Sequence, residues 1–229
     1  MKAIDYILSL PKSLIFNLSY FGIKGLKLPV IISHRTYLKK ISGTVIISNT
    51  IKTGGIRIGF GDVPAFDKKR SRSIFFNEGT IVFSGRAKVG HGGKLVVCKE
   101  GRLNLGNRFN LSAESLIYCT KSITFGDYNL ISWGVQVIDS DLHDIYSKGN
   151  IGLPINPPKA IKTENSVWLC ARSNILKGSY IPSHSIIASN ANVCGVLDST
   201  HSIYGGNPAK LIKQGITWDS AARDYKYDS

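Results

Sequence analysis

Acidic residues are what this sequence has least of for its size. Fifteen Asp and Glu stand against 29 Lys and Arg, a formal charge of +14. Such a surplus points to an anionic partner, which could be nucleic acid, a membrane face or a phosphate-rich cofactor. No aromatic-interleaved basic motif or nucleic-acid-binding module accompanies the charge, so nucleic acid is set aside. Charged residues of both signs make up only 19 %, against 43 % hydrophobic residues and 23 glycines. That balance excludes a disordered chain and favours a β-rich fold. With 229 residues the chain can bury a sizeable core as one domain with attached ends.

Cysteine is also sparse. Cys98, Cys119, Cys170 and Cys194 form no CxxC pair, which argues against a zinc or thiol redox motif and reads as reduced core filling in a cytosolic protein. A long apolar run is missing from the amino terminus. Its longest uncharged stretch, residues 13–23, falls short of the roughly 20 apolar residues that span a bilayer. Asp5 and Lys12 interrupt the candidate export signal and no small-residue cleavage site follows. The expectation is a cytoplasmic protein, compatible with contact at the inner face of the membrane.

What the sequence does contain is a repeat. From Leu169 an aliphatic residue returns at every sixth position, at Ile175, Ile181, Ile187 and Val193. Four residues after each of the first four stands a small one: Ser173, Ser179, Ser185 and Ala191. Neither a helix nor strand alternation predicts a period of six. A triangular coil does, with one inward aliphatic residue per side and a small residue near each corner. Leu105, Leu111, Ile117 and Ile123 keep the same beat, which then shifts by two to Phe125, Ile131 and Val137. Residues 81–105 are β-rich without a clean register. The repeat is therefore legible over roughly residues 75–197.

The expected fold is an all-β solenoid, a left-handed parallel β-helix of hexapeptide repeats. Its expected organisation is a basic amphipathic capping segment at 1–40, the β-helix at 41–205 and a tail at 206–229. Residues 138–163 break the period and are rich in Asp, Gly and Pro, so they read as a loop ejected from a rigid scaffold. In the first segment Lys2, Lys12, Lys24, Lys27, Arg35, Lys39 and Lys40 face Asp5 alone, with Ile4, Leu8, Leu14, Ile15 and Leu18 near helical spacing. It suits a cap on the solenoid's open end or a contact with anionic lipid. The basic run at 68–72 reads as a solvated loop.

Several segments together resemble the hexapeptide-repeat acyltransferases, particularly the O-acetyltransferases of bacterial capsule, exopolysaccharide and O-antigen synthesis. They are Phe125-Gly-Asp-Tyr-Asn-Leu-Ile-Ser-Trp133, Asp139-Ser-Asp-Leu-His-Asp-Ile145, Ser166-Val-Trp-Leu-Cys-Ala-Arg-Ser-Asn-Ile-Leu-Lys-Gly178 and Gly205-Gly-Asn-Pro-Ala-Lys210. Leu28-Pro-Val-Ile-Ile-Ser33 and Gly54-Gly-Ile-Arg-Ile-Gly-Phe-Gly-Asp62 extend the likeness over nearly the whole chain. The resemblance implies a homotrimer with acetyl-CoA lying between subunits. Trp168 and Ala171 would border the pantetheine arm, Ser189 would join the cofactor contacts, and Lys210 would face phosphate. Asn110 and Glu114 would contact the acceptor sugar. One departure is the missing lysine of a threonine–lysine pair, near Cys194-Gly195.

The resemblance also makes His143 the general base. An alcohol attacks a thioester only if its proton is removed, and a histidine with an ordinary pKa of about 6.5 is largely neutral near pH 7. Asp141 or Asp139 would orient the imidazole. No Ser or Cys beside a base offers itself for a covalent intermediate, so transfer would run directly in a ternary complex. Metal chemistry needs three converging imidazoles, whereas this loop has one histidine; His34, His91, His184 and His201 read as turn or surface residues. The expected activity is O-acetylation of a surface-polysaccharide sugar, with N-acylation of an amino group on a nucleotide sugar and a non-catalytic scaffold as alternatives.

Overall fold

The computed structural model describes residues 3–150 and 152–219. Three sheets wind around one core. The first has nine strands, from Val30–Ile32 to Ala209–Gln214; the second has seven, from Tyr37–Ile41 to Asn192–Val193; the third has six, from Thr44–Ile47 to Tyr180–Ile181. Successive strands visit the first, second and third sheet in turn, and each pairs in parallel with the strand one coil away. This is a parallel β-helix of triangular section, and its sheets reach upstream of residue 75 to Val30.

The core is the aliphatic column that the repeat describes. Leu169, Ile175, Ile181 and Ile187 are fully buried, and Ser173, Ser179, Ser185 and Ala191 are buried at the corners. The corner serines also bond backbone, as where Ser179 Oγ donates to the Leu176 and Val193 carbonyls at 2.6 and 2.9 Å. The clean period has a geometric cause. Leu169 pairs with Ile187 and Ile175 with Val193, so each of these coils takes eighteen residues, three sides of six. Upstream, Leu95 pairs with Ile117 and Ile117 with Val137, coils of 22 and 20 residues. The longer sides bury two residues per strand, such as Ile123 with Phe125 and Leu103 with Leu105, which is why the beat jumps by two after Ile123.

The amino-terminal segment forms α1 (Ala3–Phe21), followed by a 3-10 turn at Gly22–Lys27. It covers the open edge of Val30–Ile32, with Phe16 fully buried and edge-on to Phe75 at 5.1 Å. The opposite end of the first sheet closes with an antiparallel ribbon, Ser202–Gly206 against Ala209–Gln214.

One local expectation is corrected. Cys119 is buried and Cys98 and Cys170 are half-buried, but Cys194 is exposed, because it follows the inward Val193 and points outward. His91 is a turn residue, and it is buried. Its Nε2 accepts the Val63 N–H at 3.2 Å and its ring lies edge-on to Phe66, since residues 61–73 fold over that corner.

Candidate active site

Residues 139–160 leave the solenoid between Gln136–Ile138 of the second sheet and Ile161–Thr163 of the third. His143 is exposed in this loop. A junction of three side chains ties the loop down. The Asn156 amide donates to the Asp141 carboxylate at 2.7 Å and to the His143 carbonyl at 2.9 Å. The Lys177 ammonium, from the next coil, donates to Asp141 and to the Asn156 carbonyl. Hydrogen bonds from Lys177 and then Asn156 hold the Asp141 carboxyl below its ordinary range.

Neither proposed orienting carboxylate meets the His143 ring within one chain. Asp139 is fully buried at the loop's root. Its oxygens accept hydrogen bonds from the backbone N–H groups of Thr120, Lys121 and Ser122 and from the Thr120 hydroxyl, all at 2.7–2.8 Å. It pins the loop's start to the preceding coil, while Asp141 is engaged with Lys177 and Asn156.

Trp168 lies on the first sheet, across the prism from the loop. Its Nε1–H donates to Ser132 Oγ at 3.0 Å, and its ring meets Trp218 at 5.8 Å with a tilt of 42°. Trp218 in turn donates to the Ser166 carbonyl at 2.9 Å. A cleft of about 440 Å³ opens beside this pair, lined by Arg108, Asn110, Tyr128, His184 and Trp218 among others. Asn110 therefore stands on the tryptophan cleft. Glu114 does not: it occupies the opposite edge of the same sheet, bonded to Lys94 at 3.0 Å. Burial pushes its carboxyl up, but the Ser71 hydroxyl and Lys94 outweigh this and leave it below the ordinary range.

Ala171 and Ser189 share that opposite edge on successive coils, where Asn190 N–H donates to the Ala171 carbonyl. Lys210 is exposed on the terminal ribbon opposite Gly205. The nine residues thus fall into separate groups on one chain: the loop between the second and third sheets, the tryptophan cleft on the first sheet, the edge between the first and second, and, for Lys210 alone, the terminal ribbon. Trp218, Ser132, Lys177 and Asn156 were not legible as partners. Each makes its contact across coils or from beyond the repeat, where sequence spacing carries no signal. Among the described residues no group of three or more His, Cys, Asp or Glu could hold a metal ion, and no helix is long and apolar enough to cross a membrane.

No family model matches the chain. The solved structure of the polySia specific acetyltransferase NeuO superposes with a TM-score of 0.65 at 21 % identity, over 86 % of this chain and 84 % of that one. The polysialic acid O-acetyltransferase OatWY gives 0.50 at 20 %, over 84 % and 75 %. These likenesses show the shared left-handed β-helix. A curated protein of Mycobacterium tuberculosis (strain ATCC 25618 / H37Rv), "Probable acetyltransferase Rv3034c", is 27 % identical over 128 residues, 54 % of this chain. The match spans only 41 % of that relative's length. The chain thus has the left-handed β-helix fold of these acetyltransferases. Polar side chains converge outside the core at the loop junction, at the tryptophan cleft and at a larger cleft of about 700 Å³ bordered by Lys52, Arg57, Arg86, Asn107 and Asp127.

Proposed function

We propose that the protein is an acyltransferase that moves an acetyl group from acetyl-CoA to a sugar hydroxyl in bacterial surface-polysaccharide synthesis. The observation that carries the reading is the anchored loop: His143 sits on a segment that leaves a rigid solenoid, with its backbone carbonyl held by Asn156. His143 takes the hydroxyl proton as the sugar oxygen bonds to the thioester carbonyl carbon. The tetrahedral oxyanion is stabilised by backbone amides or a neighbouring subunit's side chain. It collapses by breaking the C–S bond, and the imidazolium returns its proton to the CoA thiolate. Asp141 acts as a positioning residue through the loop. Trp168, Ala171, Ser189 and Lys210 line the cofactor's path, and Asn110 faces the acceptor.

The same geometry supports a homotrimer. The loop and the first-sheet cleft occupy different sides of one prism, so a site that uses both needs a second copy, and threefold closure supplies three equivalent sites. The relatives named for polysialic acid acetylation, and the charge of +14, favour an anionic glycan as acceptor. Turnover of acetyl-CoA with oligosaccharide acceptors by wild type and His143→Ala tests the reading. The variant should lose about 10²–10⁴-fold in kcat while keeping its fold and CoA binding; near-wild-type turnover would sink the mechanism.

A further inference from the structure

α1 is apolar on its outer face. Toward the solenoid it turns Ser9, Ser13 and Asn17, all fully buried, together with the core residue Phe16. Away from it lie Ile4, Ile7, Leu8, Ile15 and Leu18, between 43 and 64 % exposed. Their spacings of three, four and seven place them in one stripe, and Ile23 continues it past the helix at 81 % exposure. No charge interrupts this stripe. Asp5 pairs with Lys68 at 3.6 Å, and Lys12 donates to the His34 and Thr36 carbonyls. An apolar outer face has no purpose in water, because it buries nothing.

Basic side chains flank the stripe. Lys24 and Lys27 are exposed just after the helix, and Lys69 and Arg70 are exposed beside the Lys68 that holds its start. We infer that this face rests on an anionic bilayer surface, with α1 lying in the headgroup plane and the solenoid standing up from it. The direction is fixed by the sheet: α1 bonds the free edge of Val30–Ile32, so its outer face points away from the solenoid along the stacking axis. An apolar stripe with lysines at its margins is the composition of interfacial helices, and no described helix suits a span. A second copy fits less well. A 19-residue helix is about 28 Å long, and a stripe about 10 Å wide offers roughly 300 Å², well below the about 800 Å² per partner of a stable interface.

Sedimentation of the full chain with vesicles tests this without reference to catalysis. Wild type should partition onto mixed phosphatidylcholine–phosphatidylglycerol vesicles more strongly than onto phosphatidylcholine alone. The double variant Ile7→Glu, Ile15→Glu should lose at least about tenfold in partitioning, with thermal midpoint and solution mass unchanged. Lys24→Ala with Lys27→Ala should lose about fivefold per lysine on the mixed vesicles only. Equal partitioning of wild type and the glutamate variant, or no binding of wild type to mixed vesicles, overturns the proposal. So does a fall in solution mass of the glutamate variant, which would make a second copy the occupant.

Discussion

The Asn17 side chain stands to Val30 as a neighbouring strand would. Its Nδ2 donates to the Val30 carbonyl at 2.6 Å and its Oδ1 accepts the Val30 N–H at 3.2 Å. Ser13 repeats the arrangement at Ile32, where its Oγ accepts the N–H at 2.9 Å, and Ser9 accepts from His34 N–H at 3.0 Å. Four helical residues advance about 6 Å and two strand residues about 6.7 Å, so side chains at i, i+4 and i+8 match alternate residues of the edge. A parallel β-helix leaves a row of unpaired backbone groups at its first coil. This helix satisfies them with side chains instead of backbone.

Asn17→Ala should therefore destabilise the protein by about 2–4 kcal/mol, since it orphans both polar groups of the fully buried Val30. Urea unfolding of the variant checks this. A loss below about 0.5 kcal/mol, the scale of an ordinary surface substitution, would show that water or a shifted helix replaces the amide.

The solenoid was legible because eighteen-residue coils leave a strict period, and Leu169 to Val193 display it. The upstream coils kept their inward residues but not their spacing, so residues 81–105 were β-rich without a clean register. The helix was legible as a cap, but not in its orientation. Hydrophobic periodicity points an apolar stripe at the core, whereas here the edge of Val30–Ile32 demanded hydrogen bonds and took Ser9, Ser13 and Asn17. At the candidate site, the loop that carries His143 was legible as a break in the period. The direction of its carboxylates was not, because adjacency in sequence does not say which way a side chain turns at a coil corner: Asp139 turns inward and Asp141 toward Lys177 and Asn156.

Asp139→Ala should cost about 3 kcal/mol or more, because three backbone N–H groups and the Thr120 hydroxyl lose a charged acceptor at a buried site. Chemical denaturation measures the loss. Turnover per folded molecule, at a temperature where the variant is folded, should stay within a few-fold of wild type. A large fall in kcat with unchanged stability would instead place Asp139 at the chemistry.

Trp168→Ala should weaken CoA binding about tenfold, the effect of losing one large buried aromatic contact, and should leave kcat at saturating acetyl-CoA little changed. Calorimetry and a KM-against-kcat comparison separate the two. Trp218→Ala, which removes the ring against Trp168, should shift KM in the same direction by less. Unaltered CoA affinity in Trp168→Ala would move the cofactor path off the first sheet.

The Asp141–Lys177 junction predicts how the loop responds to acid. The Asp141 carboxyl titrates below its ordinary range because Lys177, then Asn156, bond its ionised form. A carboxyl depressed in the folded state contributes its anchoring fully above its unfolded pKa of about 4. That contribution is lost as the pH falls through the lower, folded value. Pepsin digestion between about pH 2 and 5 should therefore cut residues 140–160 of wild type only toward the acid end, with circular dichroism showing the β-helix intact. Lys177→Met removes the partner that depresses the carboxyl, so its loop should be cut throughout that range. The same variant should lower kcat more than it raises the KM for acetyl-CoA, since it loosens the segment carrying His143 and leaves the tryptophan cleft untouched. Matching digestion profiles for wild type and Lys177→Met would mean that the loop is held by something other than this junction.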